Sequence, residues 1–187
     1  MGGKTRRKLW SGRFTEETDR LVEIFTASLP FDMRLYDHDI EGSIAHCRML
    51  EKQGIIPPAD AGKIVEALAG IRAEIGSGVF RFVQTDEDIH MAVERGLIER
   101  IGPAGGKVHT GRSRNDQVSL DMRLYLRDEI GEVLKLVARL EKTLVALAKR
   151  EIDTIMPGYT HLQQAQPVLL AHYLLAFREM LERDSAR

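Results

Sequence analysis

Two arginines stand in a polar segment, KVHTGRSRNDQV, just before the longest uninterrupted apolar pattern of the sequence. A helix N-terminus offers unpaired N–H groups and a partial positive charge. Arg112 and Arg114 would add full positive charge there, and Asn115 would add an amide donor. This combination suits a carboxylate or phosphate ligand. The alternative is structural, with Ser113 and Asp116 capping the helix and the arginines solvated.

A second polar segment, MPGYTHLQQAQP at 156–167, contains the histidine best suited to proton transfer. Histidine titrates near neutral pH and can act as a general acid or base. Thr160, Gln164 and the other glutamines could orient a substrate or the imidazole of His161. The alternative is a polar loop capped by Thr160, since a lone histidine is a weak signal.

A third segment, TDEDIHMAVE, places His90 and Glu94 on one helix face, because they are four residues apart. Half of a metal site would have this spacing, but no HExxH pattern or Cys/His cluster accompanies it. We therefore expect a surface or supporting interaction and no bound metal. Phosphate-binding P-loops, GxSxG elbows and GxGxxG fingerprints are absent from the sequence.

Amphipathic helices are predicted ahead of the arginine segment, and strand-like alternation is scarce. The predicted helices are 15–28 with Thr15 as N-cap, 37–53 ending at Gly54, one from Pro57-Pro58 to 76–78, and one from a Thr85–Asp88 capping box to 101. The residues expected to face inward are Leu21, Ile24 and Phe25; Ile40, Ile44 and Cys47; Ile64, Leu68, Ile71 and Ile75; and Ile89, Val93, Leu97 and Ile101. Residues 79–83 are expected to form a short extended segment, and 102–106 a loop.

One long helix is predicted over 113–150, where the sequence has no proline and a single glycine, Gly131. At 1.5 Å per residue it would be about 55 Å long, and one small domain of about 30 Å cannot bury it. We therefore expect a helical bundle shared between subunits. Pro167 is expected in the first turn of a further helix that runs to Arg187.

Composition describes an ordinary globular protein. The 187 residues include 27 Lys and Arg against 28 Asp and Glu, with 43% hydrophobic residues. This balance argues against a generic nucleic-acid or membrane-surface binder. The single cysteine, Cys47, excludes an internal disulfide and fits a reducing, cytoplasmic location. The basic start lacks an apolar region behind it, so we expect a flexible tail at 1–8 and no secretory signal.

Taken together, the segments resemble the argininosuccinate lyase family of the fumarase/aspartase superfamily. The run from Thr110 to Asp116 resembles the first family signature, and MPGYTHLQQAQP resembles the second. TDEDIHMAVE, YDHDIEGSIAH and LWSGRF, which is at 9–14, also resemble family segments. The RSRND run favours this family over the related fumarases, aspartases and adenylosuccinate lyases.

The resemblance implies an all-α fold with a small helical N-terminal domain, residues 1–111, followed by the start of a long-helix bundle domain, residues 112–187. It also implies a homotetramer when the protein is full length. The implied reaction is a β-elimination that splits argininosuccinate into arginine and fumarate, in arginine biosynthesis or the urea cycle. Neither a cofactor, a nucleic acid nor a membrane is implied.

Residue roles follow from the resemblance position by position. His161 resembles the family's catalytic histidine, as base or on the acid side. Thr160 resembles its substrate-binding threonine, and we expect it to belong to the catalytic residues as well. Ser28 and Asn115 resemble substrate-binding residues. Arg112 and Ser113 are expected to take part in substrate binding in support of Asn115, whereas His90 and Gln164 are expected to be supporting residues only.

The family's third signature, a flexible loop resembling GSSxMPxKxN, is absent from these 187 residues. That loop supplies a catalytic serine and a substrate-binding lysine. We therefore expect the chain alone to be an inactive N-terminal fragment, which an assay of fumarate release would test. Two alternatives remain open: another fumarate-forming lyase of the superfamily, and a non-catalytic, crystallin-like helical protein.

Overall fold

The computed structural model describes residues 19–83 and 86–187. In chain order the helices are α1 Arg20–Thr26, α2 Leu29–Asp32, α3 Tyr36–Lys52, α4 Pro58–Gly76, α5 Ile89–Ile101, α6 Arg114–Arg150 and α7 Leu170–Ala186, with 3₁₀ segments at Met33–Leu35 and Gly102–His109 and strands β1 Ile155–Thr160 and β2 Gln163–Leu169. These elements divide into two compact units, one ending at Tyr125 and the other beginning at Leu126. The all-α prediction is confirmed, because helices dominate the chain.

The core of the first unit lies between α3, α4 and α5, as the apolar spacing predicts. Its fully buried side chains include Ile40, Cys47, Ile64, Leu68, Ile71, Ile89 and Leu97. Burying a side chain of this size contributes about 1.5–3 kcal/mol. These three helices therefore form a fixed support for the polar residues between them.

Local signals explain where the core helices begin and end. Pro58 occupies the first turn of α4, where its missing N–H needs no partner. Asp88 caps α5 by accepting a hydrogen bond from the Met91 amide at 2.6 Å. Gly54, at φ +70°, follows the end of α3 in the left-handed conformation that glycine adopts without strain.

The long helix is confirmed as α6. As far as Tyr125 it belongs to the first unit, where its Gln117 and Asp121 are buried. The domain boundary proposed after residue 111 stays a prediction. Within the described ranges no helix is both long enough and apolar enough to span a bilayer.

The second unit contains a hairpin that local sequence patterns do not predict. The composition of residues 156–167 favours a polar loop, but most of this segment lies in an antiparallel hairpin of β1 and β2. Pro167 lies in β2 opposite Pro157, and α7 begins only at Leu170, so the expected role of Pro167 in the first helical turn is wrong. Proline is tolerated here because a two-stranded ribbon consists only of edge strands.

Smaller expectations also need correction. Residues 102–106 lie in a 3₁₀ segment instead of a loop. Residues 79–83 belong to no helix or strand, and the extended segment expected there stays a prediction. The first helix begins at Arg20 with Asp19 as its cap, and the three residues expected to face inward, Leu21, Ile24 and Phe25, are all exposed in this chain. Four features named in the sequence analysis lie outside the described residues: the tail at 1–8, the LWSGRF segment at 9–14, Thr15 and Thr85.

Gly105 offers a test of the packing between the 3₁₀ segment and α5. A Cβ at this position would lie 2.8 Å from the Leu97 carbonyl carbon and 2.9 Å from the Ile98 nitrogen, both backbone atoms that cannot rotate away. We expect Gly105→Ala to lower the free energy of unfolding by about 1–3 kcal/mol, measured by urea denaturation.

Gly106→Ala is the matched control, since a Cβ at Gly106 would meet no atom within 4 Å. If the two variants had the same stability to within about 0.5 kcal/mol, the proposed close contact would be wrong.

Candidate functional site

The N-terminal end of α5 gathers residues that are distant in sequence. Asp32 Oδ1 accepts a hydrogen bond from the Ile89 amide at 3.1 Å, which satisfies one of the free N–H groups of the helix. The Ser28 hydroxyl donates to the other oxygen, Asp32 Oδ2, at 2.6 Å. Ser28 is half-buried, so this candidate substrate-binding serine lies beside the first turn of α5.

His90, in that first turn, is the centre of a buried polar cluster. Its ring is only 2% exposed, so the expectation of a surface interaction is wrong. Nδ1 lies 3.0 Å from Asp39 Oδ1 on α3 and 3.3 Å from Asp121 Oδ2 on α6. Glu94 does not join this cluster and instead pairs with Arg114 at 3.5 Å. Since both carboxylates are fully buried, their charges depend on these few partners.

Contacts within the cluster shift the pKa values of its three members, Asp39, His90 and Asp121. Burial opposes a charge on Asp39, but hydrogen bonds from His90 and Gln117 lower the pKa of its carboxyl below the ordinary value. Burial also opposes the imidazolium, yet Asp39 first, then Asp88 and Asp121, raise the pKa of His90. Burial and the negative charge of Asp39 together raise the pKa of Asp121 to about 7. The most stable arrangement is therefore a protonated His90 beside an ionised Asp39.

The two arginines of the first polar segment connect to this cluster by different routes. Arg112 Nη2 donates to the Ser43 hydroxyl on α3 at 3.2 Å, and burial lowers the pKa of its guanidinium. Arg114 Nη1 donates to Gln117 Oε1 at 2.8 Å. Both arginines are half-buried. The alternative in which they are solvated while Ser113 and Asp116 cap the helix is therefore wrong about the arginines.

The capping part of that alternative is correct. The Ser113 amide donates to Asp116 Oδ2 at 2.9 Å, and the Asn115 amide donates to Ser113 Oγ at 3.2 Å. The side chain of Asn115 is exposed at this first turn of α6. The helix N-terminus therefore combines a capped backbone with Asn115 and the two nearby guanidinium groups, an arrangement suited to binding a carboxylate.

Asp39, His90 and Asp121 are also the group among the described residues whose ligand atoms could hold a metal ion, since these atoms lie within 4.8 Å of one another. A proton shared among these three side chains fits the same geometry: with His90 protonated and both aspartates ionised, which requires a pH above about 7, their negative charges equal the positive charges of His90 and the neighbouring Arg112.

The second polar segment presents its candidate residues at the hairpin turn. Thr160 pairs with Gln163, and the connecting residues His161 and Leu162 have φ values of 50° and 63°. This two-residue connection has the positive φ values of a type I′ turn, which normally favours Asn or Gly. Thr160, His161 and Gln164 are exposed. They belong to the second unit, whereas Ser28, Asn115 and the arginines belong to the first.

Several residues of the buried cluster were not singled out from the sequence: Asp39, Ser43, Gln117 and Asp121. The spacing of these residues in the sequence is the signal that could have identified them. Asp39 and Ser43 are four residues apart on α3, and Gln117 and Asp121 are four apart on α6, so each pair shares a helix face. Polar pairs at this spacing are also common on solvated faces, which is why the spacing alone did not identify them.

The raised pKa of Asp121 predicts a pH-dependent stability difference. The folded chain retains the proton on Asp121 up to about pH 7, far above its ordinary pKa of 3.8, so stability is lost as the pH rises through 7. The raised pKa of His90 acts in the same direction. We expect the stability of Asp121→Asn relative to the unsubstituted chain to increase between about pH 5 and pH 8 in urea denaturation.

Asp128→Asn is the matched control, because Asp128 lies on the same helix but is exposed and pairs with Arg127 at 3.3 Å. Its stability difference should be constant over this range. A difference for Asp121→Asn that stayed flat or declined with pH would contradict the assignment.

Curated proteins provide similar sequences along almost the whole chain. An argininosuccinate lyase of Syntrophus aciditrophicus (strain SB) is 62% identical over 180 residues, which cover 96% of this chain and 38% of the relative. An argininosuccinate lyase of Moorella thermoacetica (strain ATCC 39073 / JCM 9320) is 59% identical over 180 residues, covering 96% of this chain and 39% of the relative. The chain thus spans less than half the length of these relatives.

Solved structures and a family model agree with these similarities. An EDDS lyase with bound fumarate matches with a TM-score of 0.68 and 32% identity over 81% of this chain and 29% of that one. A fumarate lyase:delta crystallin from Brucella melitensis has a TM-score of 0.71 at 20% identity, over 95% of this chain and 40% of that one, which supports the fold alone. A family model described as "Lyase" matches residues 12–187. Because that match spans nearly the whole sequence, the protein belongs to this lyase family.

Proposed function

We propose that this chain is part of an argininosuccinate lyase, which splits argininosuccinate into arginine and fumarate. The observation that carries the proposal is the 62% identity over 180 residues with an argininosuccinate lyase. The fumarate bound to a similar EDDS lyase supports a fumarate-forming reaction. Because the chain spans 38% of that relative, the proposal concerns the activity of the longer protein.

The chemistry of β-elimination explains why a helix N-terminus with two arginines would be used. A base removes the proton from the carbon beside a carboxylate, the C–N bond to the guanidine breaks, and an acid returns a proton to the leaving nitrogen. Negative charge builds up on the carboxylate during the first step. Donors already fixed toward that charge stabilise the transition state without reorganising. We assign this role to Asn115 at the first turn of α6, supported by Arg112 and Ser113.

His161 and Thr160 receive the proton-transfer and substrate-positioning roles. Both are exposed at the turn of the hairpin, so a substrate can reach them. The antiparallel pairing of Thr160 with Gln163 holds the turn in place. Gln164 supports this segment from β2. Ser28, beside the first turn of α5, is assigned to substrate binding.

We further propose that the longer protein is a cytoplasmic homotetramer. The exposed apolar side chains of α6 support this, since a surface patch of this kind favours association. They include Leu126, Ile130, Val133, Leu136 and Leu140.

A chimeric enzyme tests the function directly. Residues 12–187 of this chain would replace the matching segment of the Syntrophus aciditrophicus enzyme, and fumarate release would be followed by its ultraviolet absorbance. We expect the chimera to split argininosuccinate, but not to release fumarate from aspartate or malate. His161→Asn should lower kcat about 10²- to 10⁴-fold, as loss of a general acid or base does.

His172→Asn is the control, because His172 is exposed on α7, outside the hairpin. An inactive chimera that is folded would contradict the proposed function. Turnover of aspartate or malate would favour another fumarate-forming lyase, and an unchanged kcat in His161→Asn would remove the catalytic role of His161.

A further inference from the structure

A continuous set of hydrogen bonds links the buried His90 to Arg114 at the start of α6. His90 contacts Asp39 Oδ1, and Gln117 Nε2 donates to the same oxygen. The Oε1 atom of that Gln117 accepts from Arg114 Nη1. Gln117 is only 4% exposed, so its amide has exchanged water for these two partners. The orientation of Arg114 therefore depends on a residue that solvent barely reaches.

Asp121 adds an unusual feature to this network. Within the described ranges neither of its carboxylate oxygens accepts a hydrogen bond, although the side chain is 1% exposed. Oδ2 lies 3.3 Å from the same His90 nitrogen that contacts Asp39. Because burial and the negative charge of Asp39 raise the pKa of Asp121 to about 7, this carboxyl is ionised only above that pH. Its negative charge then favours the positive charge on His90.

The other arginine, Arg112, contacts α3 through Ser43. Ser43, one turn after Asp39 on α3, accepts the hydrogen bond from Arg112. The charges of Asp39 and Asp121 both favour the guanidinium of Arg112. The other titratable or charged groups that interact with His90 or Arg112 include Asp32, Asp88, Glu94, His109 and Arg114. Both arginines of the candidate carboxylate site thus depend on α3 for their placement.

We propose that Asp39, Gln117 and Asp121 are positioning residues that act through His90, Ser43 and the two arginines to orient the N-terminal turn of α6 for catalysis. This inference rests on the proposed function, because the turn being oriented is the proposed carboxylate site. Asp39, Gln117 and Asp121 do not themselves bind substrate. Their effect is to fix the guanidinium groups before charge develops, which lowers the reorganisation needed in the transition state.

Asp121→Asn and Gln117→Met in the chimeric enzyme test this role. Each keeps the approximate shape of the side chain; the first removes the charge, and the second removes both hydrogen bonds. We expect kcat to decrease at least about tenfold while KM changes less than about threefold, which is the pattern of an interaction realised in the transition state. Asp128→Asn, an exposed position on the same helix, should leave both within about twofold.

Each other kinetic outcome overturns the proposal. A kcat within about twofold of the unsubstituted chimera would show that the network is not needed, and a change in KM alone would indicate uniform binding. An equal loss in Asp128→Asn would indicate general damage to α6. Loss of folding in Asp121→Asn at pH 8 would also contradict it, because this variant removes a carboxylate whose ionised form is disfavoured in the folded chain.

A measurement that needs no activity separates this inference from the proposed function. NMR titration of His90 in the 187-residue chain would compare the unsubstituted protein with Asp121→Asn and Asp128→Asn. We expect Asp121→Asn to lower the pH midpoint of His90 and Asp128→Asn to leave it unchanged. An unchanged midpoint in Asp121→Asn would overturn the network. If the unsubstituted chimera were inactive while the midpoint moved, the proposed function and the catalytic role would both fall, and only the electrostatic coupling would remain.

Discussion

The pairing of Asp39 with His90 is the constraint on which the first unit depends. A buried charge is tolerated only with an opposite charge or hydrogen bonds beside it, and these two residues supply that to each other. The partners come from α3 and α5, and Asp121 comes from α6, so three helices must meet at one point.

The buried cluster connects the apolar core to the N-terminal turn of α6, where the proposed carboxylate site lies. Beneath the cluster, apolar side chains of α3, α4 and α5 are buried together. At its outer edge are a helix N-terminus and two arginines. Buried hydrogen bonds are stronger in this low-dielectric setting than in water, and they transmit the rigidity of the core to the guanidinium groups. Preorganisation at the surface therefore depends on packing several residues away from it.

The second unit places its polar residues by a different device. His161 and Leu162 both adopt positive φ, a conformation that costs an ordinary L-residue roughly 1–2 kcal/mol. The antiparallel pairing on either side of the turn compensates for this strain. Leu162 is 93% exposed, so burial of its own side chain does not. Strained residues of this kind concentrate at functional sites, which agrees with the role proposed for His161.

The sequence by itself determined the helical architecture, the apolar faces of α3, α4 and α5, and the long helix α6. These depend on periodicity and capping, which act over a few residues. It also identified Arg112, Asn115, Thr160 and His161 as candidates, through residue types and family resemblance. Those roles remain proposals.

Only the tertiary structure decided the partners of His90 and the hairpin. Asp39 is 51 residues from His90 and 78 residues from Gln117 in the sequence, so no local pattern joins these partners. The hairpin escaped detection because β2 has no apolar face, being exposed at every position except Val168, and because the turn lacks Asn or Gly. Long-range packing and backbone strain are properties of the folded chain, and local sequence patterns do not encode them directly.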